Sequence, residues 1–333
     1  MNVLPEQIAA FIRNKTSSSF EKLSLDLFRH QYSLNAPYRR LCASVGASPE
    51  TLSSWRQIPA APAQAFRLFD LTCTPIEFCK SVYYSSGTTS DTSSKHWMDD
   101  DALELYEISL AVNFIHEFSN IGRLWAVMPA PSDAPNSSLT HMLSTLNADK
   151  FAGSELEKFS DSLAMASLES LPITMFGTAF GLLELIAIKQ VSLPRGSRVI
   201  ETGGFKGRSK EISRQEFYGM IRHGFGVDDA QCHSEYGMCE LASQFYSHGE
   251  TGRLHGPHWV RTRCIDPLTN DDAAPGEPGL LRHYDLANLN SVAVIQSQDR
   301  AVLYEDGGFS LLGRATDAEL RGCSLTAEEL WSH

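Results

Sequence analysis

The chain has 333 residues, 42% hydrophobic and 20% charged, a globular composition long enough for one large core or two domains. Its formal charge of −12 argues against a nucleic-acid or anionic-membrane partner. No apolar run of about 18 residues occurs, and the first residues carry neither a basic nor an apolar leader region, so integral membrane contact and secretion are not expected. The seven cysteines (Cys42, Cys73, Cys79, Cys232, Cys239, Cys264 and Cys323) are scattered, odd in number and without C-x-x-C spacing, which suits a reducing cytoplasm.

Residues 5–32 read as helical. Ile8, Phe11 and Ile12, then Phe20, Leu23, Leu25, Leu27 and Phe28, recur at helical spacing, with serines at 17–19 as a cap region. Pro59, Pro62 and Pro75 punctuate a looped segment, and a hydroxyl-rich loop follows at 85–94. Asp99, Asp100 and Asp101 mark the first turn of a long helix running to about residue 119. A strand–helix rhythm then sets in: strand 124–128, helix 138–146, strand 173–176, helix 179–189, strand 198–201, and a helix at 216–223 opened by the capping box of Ser213 and Glu216. Such alternation predicts an α/β core with a largely parallel sheet. From about residue 256 the pattern becomes short β-like runs (259–264, 279–284, 291–295, 301–304, 309–312) between Gly, Pro, Asp and Asn turns, predicting an antiparallel or barrel-like lobe. The expected division is an α/β core over 1–255, a β-rich lobe of the same domain over 256–312, and a tail over 313–333.

Three polar clusters follow predicted strands, where open α/β sheets bind ligands, and are expected to converge on one crevice. Ser85, Ser86, Gly87, Thr88, Thr89 and Ser90 form a loop of little bulk whose backbone N–H groups and hydroxyls suit an anion such as a polyphosphate; an ordinary Ser/Thr-rich turn would look the same. The stretch 201–210 combines close-approach glycines with Lys206, Arg208 and Lys210, a nucleotide contact or else a solvated loop. Glu240, two residues after a short β-like run and Tyr236-Gly237, is placed to hold a divalent cation that bridges phosphates, or is an exposed carboxylate. Cys232, His233 and Cys239 match no standard zinc spacing. Cys323 has Arg321 nearby, and a neighbouring cation raises the thiolate fraction; an inert buried thiol is the competing reading. No Walker A loop, G-x-S-x-G elbow or G-x-G-x-x-G turn is present.

Taken in order, these clusters resemble the adenylate-forming enzymes, nearest the acyl-protein synthetase family of bacterial bioluminescence fatty-acid reductase, with phenylacetate–CoA ligase more distant. The resemblance spans roughly residues 20–325 and implies the large N-terminal domain of such an enzyme, layered αβα sheets plus a small β-rich lobe, with the usual C-terminal domain absent or vestigial. It implies that residues 85–90 are the phosphate loop, that Thr202, Gly203 and Gly204 form the adenine-contacting turn, and that Tyr236, Gly237 and Glu240 belong to the motif whose Glu serves the metal. Cys239 stands where Thr is usual in that motif. The resemblance also implies ribose contact by Asp299, with Asp285 a competing candidate, and a hinge at Gly313-Arg314 with Asp317. Cys323 would be the acceptor thiol, and Lys206 or Lys210 would stand in for the lysine of the missing domain.

The implied reaction is ATP- and Mg²⁺-dependent activation of a carboxylic acid, of the fatty class, to an acyl adenylate, then transfer to Cys323 and on to a partner protein such as an acyl reductase. An acyl-CoA ligase and a non-catalytic nucleotide- or acyl-binding subunit are the alternatives.

Overall fold

The computed structural model describes residues 3–85, 93–203, 213–248, 252–274 and 276–315. In chain order the helices are α1 (Val3–Ile12), α2 (Phe20–Leu34), α3 (Ala36–Ser44), α4 (Ala65–Leu68), α5 (Asp100–Glu117), α6 (Ser138–Thr145), α7 (Leu156–Ala166), α8 (Ala179–Ile188) and α9 (Arg214–Phe225). The strands are β1 (Ala61–Pro62), β2 (Ser81–Tyr84), β3 (Lys95–Met98), β4 (Arg123–Val127), β5 (Lys150–Phe151), β6 (Ile173–Thr178), β7 (Arg198–Thr202), β8 (Cys232–Tyr236), β9 (Phe245–His248), β10 (Val260–Ile265), β11 (Pro278–Asp285), β12 (Val294–Leu303) and β13 (Phe309–Arg314). The chain forms two compact units. The first is Met1–Asn113, Gly237–Gln244 and His255–His333; the second is Phe114–Tyr236 and Phe245–Leu254. This partition follows contacts rather than sequence order, so the β-rich segment after 255 shares a unit with the N-terminal helices.

The first unit is built on a five-stranded sheet in which β10, β11, β12 and β13 are antiparallel neighbours and β1 runs parallel to β12. The two runs expected at 291–295 and 301–304 fall largely within one long strand, β12, whose pairing with β13 shifts register between Arg300 and Ala301. A bulge lets one strand carry both pattern phases, which the sequence shows as a break. The helical stretch expected over 5–32, with its cap region at 17–19, is α1 and α2, and Ser19 caps α2 by accepting from the Lys22 N–H. Buried Ile8, Ile12, Leu23, Leu27 and Phe28 supply their inner faces, each side chain contributing roughly 2 kcal/mol by removal from water. Two buried amides tie α2 and α3 to the turn after β11. Gln31 donates to the carbonyls of Asn288 (2.7 Å) and Leu289 (3.1 Å), and Asn35 donates to that of Ser291 (3.2 Å). Residues 95–98, which follow the hydroxyl-rich loop expected at 85–94, form β3, antiparallel to β2.

The second unit is a six-stranded sheet in the order β5-β4-β6-β7-β8-β9, with β5 to β8 parallel and β9 antiparallel at the edge. Its core packs Trp125, Met175, Leu182, Leu185, Phe217, Ile221 and Phe225 together. Helix α7, absent from the expected list, buries Phe159 and Leu163. Helix α9 starts where the capping box indicated. Ser213 Oγ accepts from the Glu216 N–H (3.2 Å), Glu216 accepts from the Ser213 N–H (2.8 Å), and Gly226, at φ 63°, ends the helix in the left-handed region. No helix among the described residues is long and apolar enough to cross a membrane.

Ser213→Ala removes one half of the reciprocal cap and is expected to destabilise α9 by about 1 kcal/mol. Urea unfolding followed by tryptophan fluorescence checks this, and an unchanged midpoint would exclude a stabilising cap.

Candidate active site

In the first unit the site is built around Glu240, in the segment Gly237–Gln244 between β8 and β9. Only 6% of Glu240 is exposed. Burial raises its pKa, while the neighbouring Ser94 hydroxyl, the main chain and the positive charges of Arg67 and Arg314 pull the other way. Burial outweighs this nearby positive charge, so the ionised form of Glu240 remains disfavoured. Ser94 and Ser85 close the base of the hydroxyl-rich loop, the Ser94 N–H donating to Ser85 Oγ (2.9 Å) and the Ser85 N–H to the Ser94 carbonyl (3.1 Å). Asp299 and Arg314 are register partners on β12 and β13, with Arg314 Nε 3.5 Å from Asp299 Oδ1. The Ser85–Ser94 pair, buried Glu240 and the Arg314–Asp299 pair all belong to this unit.

The backbone carrying Glu240 is fixed by buried polar groups. Asn288 donates its side-chain amide to the Glu240 carbonyl (2.8 Å). His96 on β3 bonds the Cys239 carbonyl through Nδ1 (2.7 Å), and its Nε2 faces Asn288 Oδ1 (3.1 Å). Asp285, fully buried, accepts from the Ala242 N–H (2.9 Å), Ser243 Oγ (2.8 Å) and the Ala287 N–H (3.0 Å). Its carboxylate oxygens are thereby committed to holding the loop, and burial still pushes its pKa up to about 6.

In the second unit a buried polar cluster occupies the carboxyl ends of β7 and β8. Thr202 donates its hydroxyl to Glu235, its register partner, and Gly203 follows at φ 85°, a backbone state that glycine adopts without strain. Glu201 accepts from Ser234 Oγ at 2.6 Å. Burial raises the Glu201 pKa, opposed by Ser234, Arg214 and Tyr218. Arg214, the first residue of α9, donates to Tyr218 Oη (2.9 Å). Glu235 is pushed up to about 7, first by burial and further by the nearby Glu201, against the Thr202 hydroxyl bond. The ring of Tyr236 packs on Phe245 at 5.7 Å.

Ser86, Gly87, Thr88, Thr89, Ser90, Gly204, Lys206, Lys210, Asp317 and Cys323 lie outside the described residues. Sequence reasoning missed His96, Asn288, Glu235 and Arg214. Each acts through partners far away in the chain, and the only local hint was the unusual run of Asn288 and Asn290 in an otherwise apolar turn.

Four matches set this chain among known proteins. The family described as acyl-protein synthetase, LuxE, matches residues 144–331. The long-chain-fatty-acid–luciferin-component ligase of Aliivibrio fischeri is 25% identical over 336 residues, spanning 92% of this chain and 87% of that protein. An open conformation of a 2-hydroxyisobutyryl-CoA ligase, solved with 2-HIB-AMP and CoA, is similar at TM-score 0.66 and 15% identity, over 89% of this chain and 75% of that one. Apo MatB from Rhodopseudomonas palustris is similar at TM-score 0.51 and 14% identity, over 83% of this chain and 56% of that one. The structural likenesses show that this chain shares the α/β fold of these proteins.

A carboxyl titrates near 4.3 in an unfolded chain, whereas Glu235 does so at about 7 when folded. Between those values the folded state holds the extra proton, so stability falls as pH rises through this window and levels off above it. Glu235→Gln removes that contribution while keeping an acceptor for Thr202. The drop in melting temperature between pH 5 and 7.5 is expected to be smaller in the variant than in the wild type; equal drops would place the Glu235 pKa in the ordinary range.

Proposed function

The chain belongs to the acyl-protein synthetase (LuxE) family, and from that premise we propose that it uses ATP to convert a fatty acid into an acyl adenylate and then passes the acyl group to a cysteine thiol and on to an acceptor protein. The observation that supports this reading is that one unit holds a buried carboxylate, Glu240, whose ionised form the charges of Arg67 and Arg314 favour, together with the Arg314–Asp299 pair and the Ser85–Ser94 base of the hydroxyl loop. Nucleotide activation needs those groups together.

In the first step the carboxylate oxygen of the acid attacks the α-phosphorus of ATP, the bond to the β-phosphate oxygen breaks, and pyrophosphate leaves. Residues 85–90 hold the phosphates, and Asp299 bonds the ribose hydroxyls. Asp285 is the weaker candidate for ribose, since its oxygens are already bonded within the protein. Thr202, Gly203 and Gly204 contact adenine, with Tyr236 and Gly237 in the adjoining motif. Arg314 helps to offset the developing negative charge.

Glu240 fits a Mg²⁺ site. Mg²⁺ favours one or two carboxylates completed by phosphate oxygens and water, and a carboxylate whose charge is disfavoured by burial gains most from a cation. When bound, the ion neutralises phosphate charge. In the second step the Cys323 thiolate attacks the acyl carbonyl carbon, the bond to AMP breaks, and a thioester forms on the protein. Lys206 or Lys210 supplies positive charge to the acyl phosphate. The acceptor that draws the acyl group off is an acyl reductase or a similar protein. The six free cysteines among the described residues fit a cytoplasmic setting.

Glu240→Gln is expected to slow fatty-acid-dependent pyrophosphate release by about 100-fold or more; an unchanged rate removes Glu240 from the chemistry. Cys323→Ser is expected to release pyrophosphate and form adenylate while intact-protein mass spectrometry shows no covalent acyl adduct. An adduct at the wild-type level would exclude Cys323 as acceptor, and acyl-CoA formation independent of Cys323 would select a CoA ligase instead.

A further inference from the structure

At the edge of the six-stranded sheet, far along β8 from Tyr236, two histidines face each other across the β8–β9 pair. His233 and His248 are register partners, and their Nδ1 atoms lie 3.1 Å apart. The other nitrogen of His248, Nε2, lies 2.9 Å from Glu117 Oε2 at the end of α5. Glu117 also bonds His116 Nδ1 at 3.2 Å through its other oxygen. The ring of Phe118 packs on both imidazoles, at 5.1 Å from His233 and 5.8 Å from His248, and Arg198 stacks on that ring. The charged groups facing the pair are therefore Glu117 and His116 from α5 and Arg198 from β7.

We propose that His233 and His248 form a two-nitrogen site for a borderline divalent transition metal of the zinc type, with Glu117 as the carboxylate that orients His248. The proposal is independent of the acyl-transfer reading. Three features of the geometry carry it.

First, the spacing suits a metal. Zinc–nitrogen bonds of about 2.0–2.1 Å at a tetrahedral centre put two donor atoms about 3.3 Å apart, within a few tenths of an ångström of the separation found here.

Second, the tautomer is set by the surroundings. Glu117 Oε2, 2.9 Å from His248 Nε2, accepts the proton of that nitrogen, so His248 Nε2 is the nitrogen that donates. His248 then presents the Nδ1 lone pair to His233. This carboxylate–imidazole pairing is the arrangement that orients metal-bound histidines. His233, buried against Phe118, offers its own Nδ1 to the same point. With metal bound, its one proton sits on Nε2. Two neutral imidazoles are what coordination requires.

Third, the site can be reached and is electrostatically receptive. His248 is about half exposed, and the last turn of a helix carries partial negative charge that favours a cation. Among the described residues no three His, Cys, Asp or Glu side chains already surround one point, so the two imidazoles are the protein's donors and water completes the coordination. Such a site binds more weakly than a closed structural cage. It would staple the edge strand β9 to β8.

Calorimetric Zn²⁺ titration and thermal melting of the untagged full chain at pH 7.5 test this, with His248→Gln and Glu117→Gln in parallel. The wild type is expected to bind one more equivalent than His248→Gln and to gain melting temperature with Zn²⁺ that this variant does not. Counting the difference removes any contribution from thiols. Glu117→Gln is expected to weaken the site by about 10-fold. Equal stoichiometry and equal thermal shifts in the wild type and His248→Gln would overturn the proposal. Cu²⁺ electron paramagnetic resonance on the wild type gives a check that needs no variant: coupling to two nitrogens supports the site, and its absence refutes it.

Discussion

Asp285 is a carboxylate with no access to solvent, and three donors from two chain segments hold it there. Two of these donors belong to Ala242 and Ser243, immediately after Glu240. A buried carboxylate left unsatisfied would cost several kcal/mol, so the loop and the acid constrain one another: the loop is ordered because Asp285 needs its N–H and hydroxyl groups. The same turn places Asn288 against the Glu240 carbonyl, and Gln31 of α2 grips the turn from the other side. Glu240 is thus positioned by a lattice of main-chain bonds, which leaves its own carboxylate for Ser94 and the nearby guanidiniums.

Both units keep carboxylates where water is scarce, but they treat them differently. Glu240 carries a charge that burial makes costly and that nearby arginine charge offsets only in part. Glu235 and Glu201 lie on adjacent strands with hydroxyl partners, and each makes the other's charge more expensive, so one proton is retained near neutrality. Glu235, pushed up to about 7, makes the Thr202–Gly203 end of the sheet sensitive to pH near neutrality, and Asp285, pushed up to about 6, does the same for the Glu240 loop somewhat lower.

Periodicity revealed the second unit well. Its parallel strands β4, β6 and β7 are short, mostly apolar runs, and α6, α8 and α9 start at side-chain caps, of which Ser213 with Glu216 is the plainest. What stayed hidden was governed by contacts between distant residues. Strand β3 carries Lys95 and His96 in a hairpin whose pairing no local pattern announces, and α7 follows a segment with weak punctuation. The bulge in β12 broke one strand into two apparent runs. In the candidate site, short motifs single out Glu240, Asp299 and Arg314 as candidates. The groups that hold Glu240 are not so marked: His96 and Asn288 matter only through one another and through Cys239 and Glu240, more than a hundred residues away from His96.

The first unit is assembled from three separate stretches of chain, one of them the eight residues Gly237–Gln244 that leave the edge of the other unit's sheet. A polypeptide emerging from the ribosome in order can complete the second unit once residue 254 is out. The first cannot close its five-stranded sheet until β13 has been made, because β1 waits for β12 and Asp285 waits for its loop. During that interval the apolar faces of α1 and α2 have no sheet to cover them. Nascent chains paused before residue 300 would therefore be the ones that chaperones hold, and long-range closure rather than helix formation would set the pace of folding.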